Sequence, residues 1–170
     1  MSDNPLNIAV LQVPEEGVAV EAEVAAAALD LPEDERIRVT QPVRVSLKVE
    51  RRNRDVTARG RLAATLSCRC DRCLDPFEQA LEVLEVCHFW EDVQEDWIDL
   101  TPALREDIVL ALPNQLLCRD VCSGLCPVCG QNRNRAHCTC LEEADGAEDA
   151  WGELNKLDLP DNEPPEDQRG

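Results

Sequence analysis

Aromatic residues are scarce in this chain of 170 residues: Tyr is absent, and Phe and Trp together make up only 3% of the sequence. A core must therefore be built mainly from Val, Leu, Ile and Ala, which the apolar content of 44% allows. No apolar run approaches the roughly 18 residues of a membrane-spanning helix, and residues 1–4 do not resemble the start of a secretory signal. We expect no membrane partner and a cytoplasmic location.

The sequence also lacks the short motifs that commonly mark catalysis. There is no Gly-x-Ser-x-Gly turn, no phosphate-binding loop and no His-Glu-x-x-His helix. Cys70 and Cys73 have the spacing of a redox pair, but the βαβ context that would support that activity is missing. We therefore expect a protein that is not an enzyme.

Positive charge is missing from the N-terminal segment and concentrated after it. Residues 1–35 carry nine acidic residues and no Lys or Arg, whereas residues 36–72 carry eleven Lys or Arg and three acidic residues. Residues 73–117 and 141–170 are acidic again, and the net charge is −18. Such a mean charge argues against binding to nucleic acid, but the basic block reopens the question.

Alternating apolar and polar residues predict a mostly antiparallel β-sheet. The alternation runs from 36 to 50 and resumes after the polar turn at 51–55, which predicts a β-hairpin with one basic face. Pro42 predicts an edge or a break within the first arm. Further strands are predicted at 5–13, 18–24, 77–90 and 97–100.

One main helix is predicted between two prolines. Thr101-Pro102 opens it, because Pro is well tolerated at the first helical position, and Pro113 stops it. Its apolar stripe is predicted to contain Leu104, Ile108 and Leu112, with Leu110 or Ala111.

Six of the ten cysteines lie between residues 118 and 140. The best single metal site consists of two close pairs, Cys126, Cys129, Cys138 and Cys140. Four thiolates suit tetrahedral Zn²⁺ and leave no open position for water, so such a site is structural rather than catalytic. His137 could replace Cys138 as a ligand.

Two further cysteine pairs could form a second zinc site. Its ligands would be Cys70, Cys73, Cys118 and Cys122, and it would tie the end of the hairpin to the C-terminal cysteines. The remaining Cys68 and Cys87 are expected to be small buried hydrophobic residues, and His88 is expected to be structural. The chain is thus predicted to bind one zinc ion, with a second possible.

The basic face of the hairpin is a candidate RNA-binding surface, because Arg makes planar, bidentate contacts to phosphate. The alternative is a solvated face that pairs with the chain's own acidic segments. No aromatic residue alternates with these side chains, so stacking on unpaired bases is not supported, and backbone contacts are favoured. The candidate residues are Arg36, Arg38, Arg44, Lys48, Arg52, Arg54, Arg59 and Arg61.

The order of the motifs resembles the YceD family. The resemblance rests on Cys70-Asp-Arg-Cys73-Leu-Asp-Pro-Phe77, Ile98-Asp-Leu100, Leu110-Ala-Leu-Pro113, Gly124-Leu-Cys-Pro-Val-Cys-Gly-Gln-Asn132 and Cys138-Thr-Cys140, and it covers residues 5–157. Arg133-Asn134 departs from the Leu-Asn that the family pattern suggests. The resemblance implies a role in accumulation or processing of 23S ribosomal RNA, and hence in ribosome biogenesis, with ribosomal RNA or a ribosomal precursor particle as partner.

These observations together predict an α+β protein in three parts. A β-rich domain over residues 1–117 contains the basic hairpin and the main helix. A cysteine-rich zinc module over 118–140 packs on it, and an acidic, largely disordered tail covers 141–170, where 151–157 could form a helical turn. Two competing hypotheses remain: a zinc-braced adaptor that binds a protein partner through its acidic segments, and a thiol redox or metal-handling protein that uses Cys70 and Cys73.

Overall fold

The computed structural model describes residues 4–31 and 34–140. These residues form a mostly antiparallel β fold with a single α-helix, which is the predicted class. The elements in chain order are β1 (Asn7–Ala9), β2 (Val18–Val24), β3 (Ile37–Val39), β4 (Val43–Arg52), β5 (Asp55–Arg69), β6 (Pro76–Trp90), β7 (Trp97–Asp99) and α1 (Thr101–Ala111).

The long strand β5 is the centre of the main sheet. On one side it pairs first with β4, from Asp55 to Ala63, and then with β3, from Leu66 to Cys68. On its other side it pairs with β6 along almost its whole length, and β2 extends the sheet beyond β4. All these pairings are antiparallel, and β1 and β7 form a separate two-stranded ladder. The predicted break at Pro42 is confirmed, because it lies between β3 and β4.

Burial along the hairpin follows the predicted alternation. Its apolar side chains face the core, where Val43, Val45, Leu47, Val49, Val56, Ala58, Leu62 and Leu66 are all at most 3% exposed. Neighbouring positions that carry Arg or Lys are exposed on the opposite face. The sheet therefore has one apolar face and one face toward solvent, and the second is called here the outer sheet face.

Helix α1 covers part of the apolar face. Leu104 and Ile108 are 1% exposed, and the His88 Nε2 on β6 lies 2.7 Å from Oδ2 of Asp107. Both predicted helix boundaries are confirmed, since Pro102 lies in the first turn and the helix ends at Ala111, two residues before Pro113. Of the two alternatives left open for the apolar stripe, Leu110 or Ala111, the structure has Ala111: Ala111 and Leu112 pack against the core, whereas Leu110 is 76% exposed.

The ladder between β5 and β6 is interrupted near its middle. Its register shifts between Gly60 and Leu62. A Cβ at Gly60 would lie 2.1 Å from the carbonyl oxygen of Ser46 on β4, so only glycine allows the two backbones to approach this closely. Such a bulge increases the local twist and bends the sheet.

Two predicted segments differ from the structure or lie outside it. The strand predicted at 5–13 is confined to Asn7–Ala9, because the chain turns through a 3₁₀ helix at Val10–Gln12. The acidic tail at 141–170, including the helical turn predicted within it, lies outside the described residues.

Candidate metal centres and basic sheet face

Two Cys-x2-Cys turns of the same form position the cysteines. In the turn between β5 and β6, the N–H of Leu74 donates to the carbonyl oxygen of Cys70 at 2.9 Å. In the second turn, the N–H of Gly130 donates to the carbonyl oxygen of Cys126, also at 2.9 Å. The residue after each second cysteine has a positive φ, 61° at Leu74 and 73° at Gly130. Glycine adopts this conformation without steric cost, whereas Leu74 adopts it with strain.

The first turn contributes to a buried cluster of four thiols, the inner tetrad: Cys70, Cys73, Cys118 and Cys122. The Sγ atoms of Cys70 and Cys122 are 3.7 Å apart, as are those of Cys73 and Cys118. Zn–S bonds of about 2.3 Å at tetrahedral angles place neighbouring sulfurs about 3.8 Å apart. Disulfide sulfurs would be about 2.05 Å apart. The inner tetrad therefore has the dimensions of a tetrahedral metal site.

The second turn contributes to the outer tetrad: Cys126, Cys129, Cys138 and Cys140. As in the inner tetrad, the four sulfurs all lie within 4.8 Å of one another. Cys126 is buried and Cys129 is exposed, so the outer tetrad lies closer to solvent than the inner one. The two sets of four that the sequence spacing predicted are thus brought together in space.

Electrostatics within the inner tetrad favour thiolates at some positions and oppose them at others. Burial opposes ionisation of Cys70, but N–H groups of Cys118, Cys73 and Arg72 bond to its sulfur and lower its pKa to about 6. Burial raises the pKa of Cys73 to about 12, and hydrogen bonds with the other thiols add to this rise. A divalent cation among the four sulfurs would remove this mutual opposition.

The outer tetrad shows the same division. Backbone N–H groups of Cys129 and Val128 lower the pKa of Cys126 to about 6. Hydrogen bonding with Cys126, together with burial, raises the pKa of Cys138 to about 11. Both tetrads therefore offer soft sulfur donors and preorganised backbone N–H groups, and the described residues add no fifth ligand to either, which fits a closed, structural metal site.

Two aspartates of the turn between β5 and β6 hold the C-terminal cysteine region against the sheet. Asp71 accepts hydrogen bonds from the N–H of Leu116 and from Arg36, each at 2.8 Å. Asp75 accepts hydrogen bonds from Asn132 at 2.9 Å and Arg135 at 2.8 Å. The inner tetrad itself takes two ligands from each side of the predicted boundary at 117. Metal binding there would connect segments that are distant in sequence.

Other residues near the tetrads have clear structural roles. Asn134, which follows the departure from the family pattern at Arg133, donates to the Sγ of Cys122 at 3.3 Å and accepts from the N–H of Ser123. Cys68 is buried, as predicted. The same prediction for Cys87 is wrong, because its side chain points to the outer sheet face and is exposed. His137 is exposed, and Cys138 is the residue in the tetrad.

The structure places the predicted basic side chains in two settings. Three of them lie close to a carboxylate: Arg36 to Asp71, Lys48 to Glu50, and Arg54 to Asp92. The hydrogen bond from Lys48 lowers the pKa of Glu50. Within the described residues, the other five have no carboxylate within 4.0 Å of their guanidinium groups. These five are Arg38, Arg44, Arg52, Arg59 and Arg61.

Four basic residues form the middle of the outer sheet face. Cross-strand pairing places Lys48 on β4 opposite Arg59 on β5. Arg61 on β5 lies opposite Ser46, which stands between Arg44 and Lys48 on the same face of β4. A concavity of about 610 Å³ beside them is lined by Arg44, Arg61, Glu21, Glu23, Glu82 and Leu84, among others. The face is therefore not uniformly basic: a central positive strip on β4 and β5 is bordered by acidic side chains from β2 and β6.

The fold and the two tetrads define a class: an α+β protein with two closed, four-thiol sites that could hold metal. Comparison with known proteins gives the family that it resembles. The model of the family "Large ribosomal RNA subunit accumulation protein YceD" matches residues 88–158, from the end of β6 through α1 and both C-terminal cysteine groups. The resemblance inferred from the motifs is thereby confirmed over this part of the chain.

Curated proteins include one similar relative. The "Uncharacterized protein YlbN" of Bacillus subtilis (strain 168) is 30% identical over 94 residues, which cover 48% of this chain and 55% of that protein. The chain thus spans about half the length of the curated relative that it matches. No solved structure matches the chain.

The YceD family name implies a role in accumulation of large ribosomal subunit RNA. Across residues 4–31 and 34–140, the structure has no helix with the length and apolar character needed to cross a membrane.

Proposed function

We propose that this protein is a non-enzymatic factor in the accumulation or processing of 23S ribosomal RNA, and that it acts on large-subunit precursors in the cytoplasm. The observation that carries the proposal is the family-model match over residues 88–158. The positive strip on the outer sheet face supports it, because that strip offers an RNA backbone guanidinium groups that form no ion pair with any described residue.

The two tetrads have a structural part in this proposal. Each would hold one Zn²⁺ through four thiolates, with no position left for a reacting water or substrate. The inner tetrad fixes the cysteine-rich module of residues 118–140 to the β-rich domain of residues 1–117. Zinc therefore maintains the shape of the RNA-binding face rather than contributing to its chemistry.

The RNA-binding residues of the proposal are those whose charge is not already matched by a neighbouring carboxylate. Arg44, Arg59 and Arg61 lie together and have no such partner among the described residues. The predicted residues Arg36, Lys48 and Arg54 each form an ion pair with a carboxylate, which reduces the charge that they offer to RNA. Because basic side chains that neutralise phosphates release counterions from the RNA, binding through this strip should weaken as salt rises.

Charge reversal tests this proposal. We expect Arg44→Glu, Arg59→Glu and Arg61→Glu, combined in one variant, to abolish co-sedimentation with ribosomal precursor particles. In a direct RNA-binding measurement, loss of about three phosphate contacts should remove most of the salt dependence. Arg133→Glu is the matched control, because Arg133 is also exposed but lies in the cysteine-rich module, away from the outer sheet face.

The same sedimentation experiment tests the adaptor hypothesis, and a disulfide-reduction assay tests the redox hypothesis. If the triple variant still sediments with the particles, the adaptor hypothesis gains support, since binding would then use the acidic segments. If purified protein reduces a disulfide substrate and Cys70→Ser or Cys73→Ser alone removes that activity from folded protein, the redox hypothesis replaces the proposal. Zinc content and the far-UV circular dichroism spectrum of each variant show whether it has kept its fold.

A further inference from the structure

An exposed aromatic side chain lies beside the basic residues of the outer sheet face. Phe89 on β6 is 55% exposed, although aromatic residues are rare in this chain. Its cross-strand partner is Thr57, which lies two residues before Arg59 on β5 and therefore on the same face of the sheet. Phe89 lies 17 residues beyond the basic block of 36–72 in the sequence. Strand pairing nevertheless brings it next to basic residues of that block.

Phe89 forms one wall of a small cleft. The cleft has a volume of about 290 Å³ and is also lined by Arg52, Arg59, Thr57, Glu50 and Asp55. It combines an aromatic surface, two exposed guanidinium groups and a hydroxyl group. Its volume is at the small end of the range for ligand pockets, about 300 Å³, so it suits one planar group better than an extended ligand.

The charges around the cleft favour an anionic ligand despite the two acidic residues. Glu50 is already engaged by Lys48, whose Nζ donates to Oε1 at 2.6 Å. Asp55 accepts a hydrogen bond from the N–H of Asp92 at 3.1 Å. No carboxylate of the described residues lies within 4.0 Å of the guanidinium groups of Arg52 and Arg59. These two groups therefore remain available to phosphate.

We propose that this cleft binds one unpaired nucleotide of RNA, with the base stacked on Phe89 and the flanking phosphates bound by Arg52 and Arg59. Proteins hold single-stranded nucleic acid by stacking bases on aromatic rings and by contacting the backbone with basic side chains, and stacking tolerates any base. A base within an intact duplex cannot stack on Phe89, because the neighbouring bases already cover both faces of that base. This inference rests on the proposed function and makes it more specific: the RNA segment recognised is single-stranded.

This proposal differs from the expectation drawn from the sequence. No aromatic residue alternates with the basic residues along the hairpin, so the sequence favoured contacts to the RNA backbone alone. In the structure, an aromatic side chain lies beside basic ones on neighbouring strands rather than along one strand. Phe89 on β6 faces the same side as Arg59 on β5 and Arg52 on β4.

The test measures affinity of the full chain, loaded with zinc, for a labelled single-stranded RNA of about twelve nucleotides, within the size range of single-strand sites. The same sequence annealed to its complement serves as duplex. We expect the single strand to bind more tightly than the duplex. Phe89→Ala should weaken single-strand binding roughly 5- to 150-fold, the range that stacking of one base accounts for, whereas Phe89→Trp should retain it.

Leu110→Ala is the control, because Leu110 is also an exposed apolar side chain, at 76%, but lies on α1 and lines neither the cleft nor the concavity beside the positive strip. It should bind like the wild-type protein. Glu50→Gln should strengthen binding, because it removes a negative charge from the cleft. Equal affinity of Phe89→Ala and Leu110→Ala, or tighter binding of the duplex, would overturn the proposal.

Failure of this inference can be told apart from failure of the proposed function. If Phe89→Ala binds RNA like wild type and still co-sediments with ribosomal precursors, only the single-strand site is wrong. If the wild-type protein neither binds RNA nor associates with those particles, the proposed function itself is wrong.

Discussion

Removal of one ligand from the inner tetrad should change both metal content and stability. Cys70 is fully buried, and its sulfur lies 3.7 Å from that of Cys122, across a separation of 52 residues in sequence. Cys70→Ser leaves three thiols, which cannot complete the tetrahedral site. Structural zinc binding contributes about 10–16 kcal/mol in small peptides, comparable to the whole stability of a typical domain, about 5–15 kcal/mol. We therefore expect Cys70→Ser to unfold at least the cysteine-rich module.

The two tetrads should differ in how much their loss destabilises the protein. The inner tetrad closes a loop of 52 residues, whereas the outer tetrad closes about 14, from Cys126 to Cys140. Loop-closure entropy alone makes the inner connection worth about 1 kcal/mol more, from 1.5RT times the logarithm of the length ratio. Cys140→Ser should therefore lower Tm less than Cys70→Ser does.

Native mass spectrometry measures the metal content directly. Wild-type protein should carry two zinc ions, and Cys140→Ser should carry one. Cys87→Ser is the control, since Cys87 is exposed on β6 and belongs to neither tetrad; it should carry two ions and keep the wild-type Tm. Fully folded wild-type protein that contains no metal, or a Cys70→Ser variant that retains two ions and an unchanged Tm, would refute the reasoning.

Two further predictions concern packing. Gly60→Ala should destabilise the protein by about 1–3 kcal/mol in chemical denaturation, because the new methyl group overlaps the Ser46 carbonyl. Gly130→Ala is the comparison, because no atom lies within 4 Å of its new Cβ. It should lower the free energy of unfolding by about 1 kcal/mol through its positive φ. Equal destabilisation by the two substitutions would contradict the steric argument. Asp107→Ala should cost about 1–2 kcal/mol, because it leaves the partly buried His88 without its partner on α1. An unchanged denaturation midpoint would show that this contact does not stabilise the helix on the sheet.

Local patterns in the sequence predicted the hairpin and the helix because their periodicity reflects burial directly. Residues 43–49 alternate in sequence and alternate in burial. The paired spacing of the cysteines likewise predicted both tetrads, since a Cys-x2-Cys turn places two sulfurs on one side of a tight loop. The prolines at 102 and 113 marked the ends of α1 through their effect on the backbone.

What the sequence missed depends on contacts between distant segments. The side chain of Cys87 was assigned to the core because free cysteine is usually buried, but the register shift near Gly60 determines which residues of β6 face outward. Phe89 was overlooked for the same reason, since its neighbours on β4 and β5 lie more than 25 residues away. No sequence pattern marked Asp71 and Asp75 as residues that hold the cysteine region against the sheet, apart from their position beside the turn that contains Cys70 and Cys73.

The central claim is that the outer sheet face contacts large-subunit ribosomal RNA. Crosslinking in cells, followed by sequencing of the bound RNA and peptide mapping of the crosslinked residues, tests it most directly. We expect enrichment of 23S precursor RNA, with crosslinks on β4, β5 and the end of β6. This enrichment should be lost in the variant that combines Arg44→Glu, Arg59→Glu and Arg61→Glu. Crosslinks confined to the cysteine-rich module, or enrichment that survives the charge reversal, would contradict it.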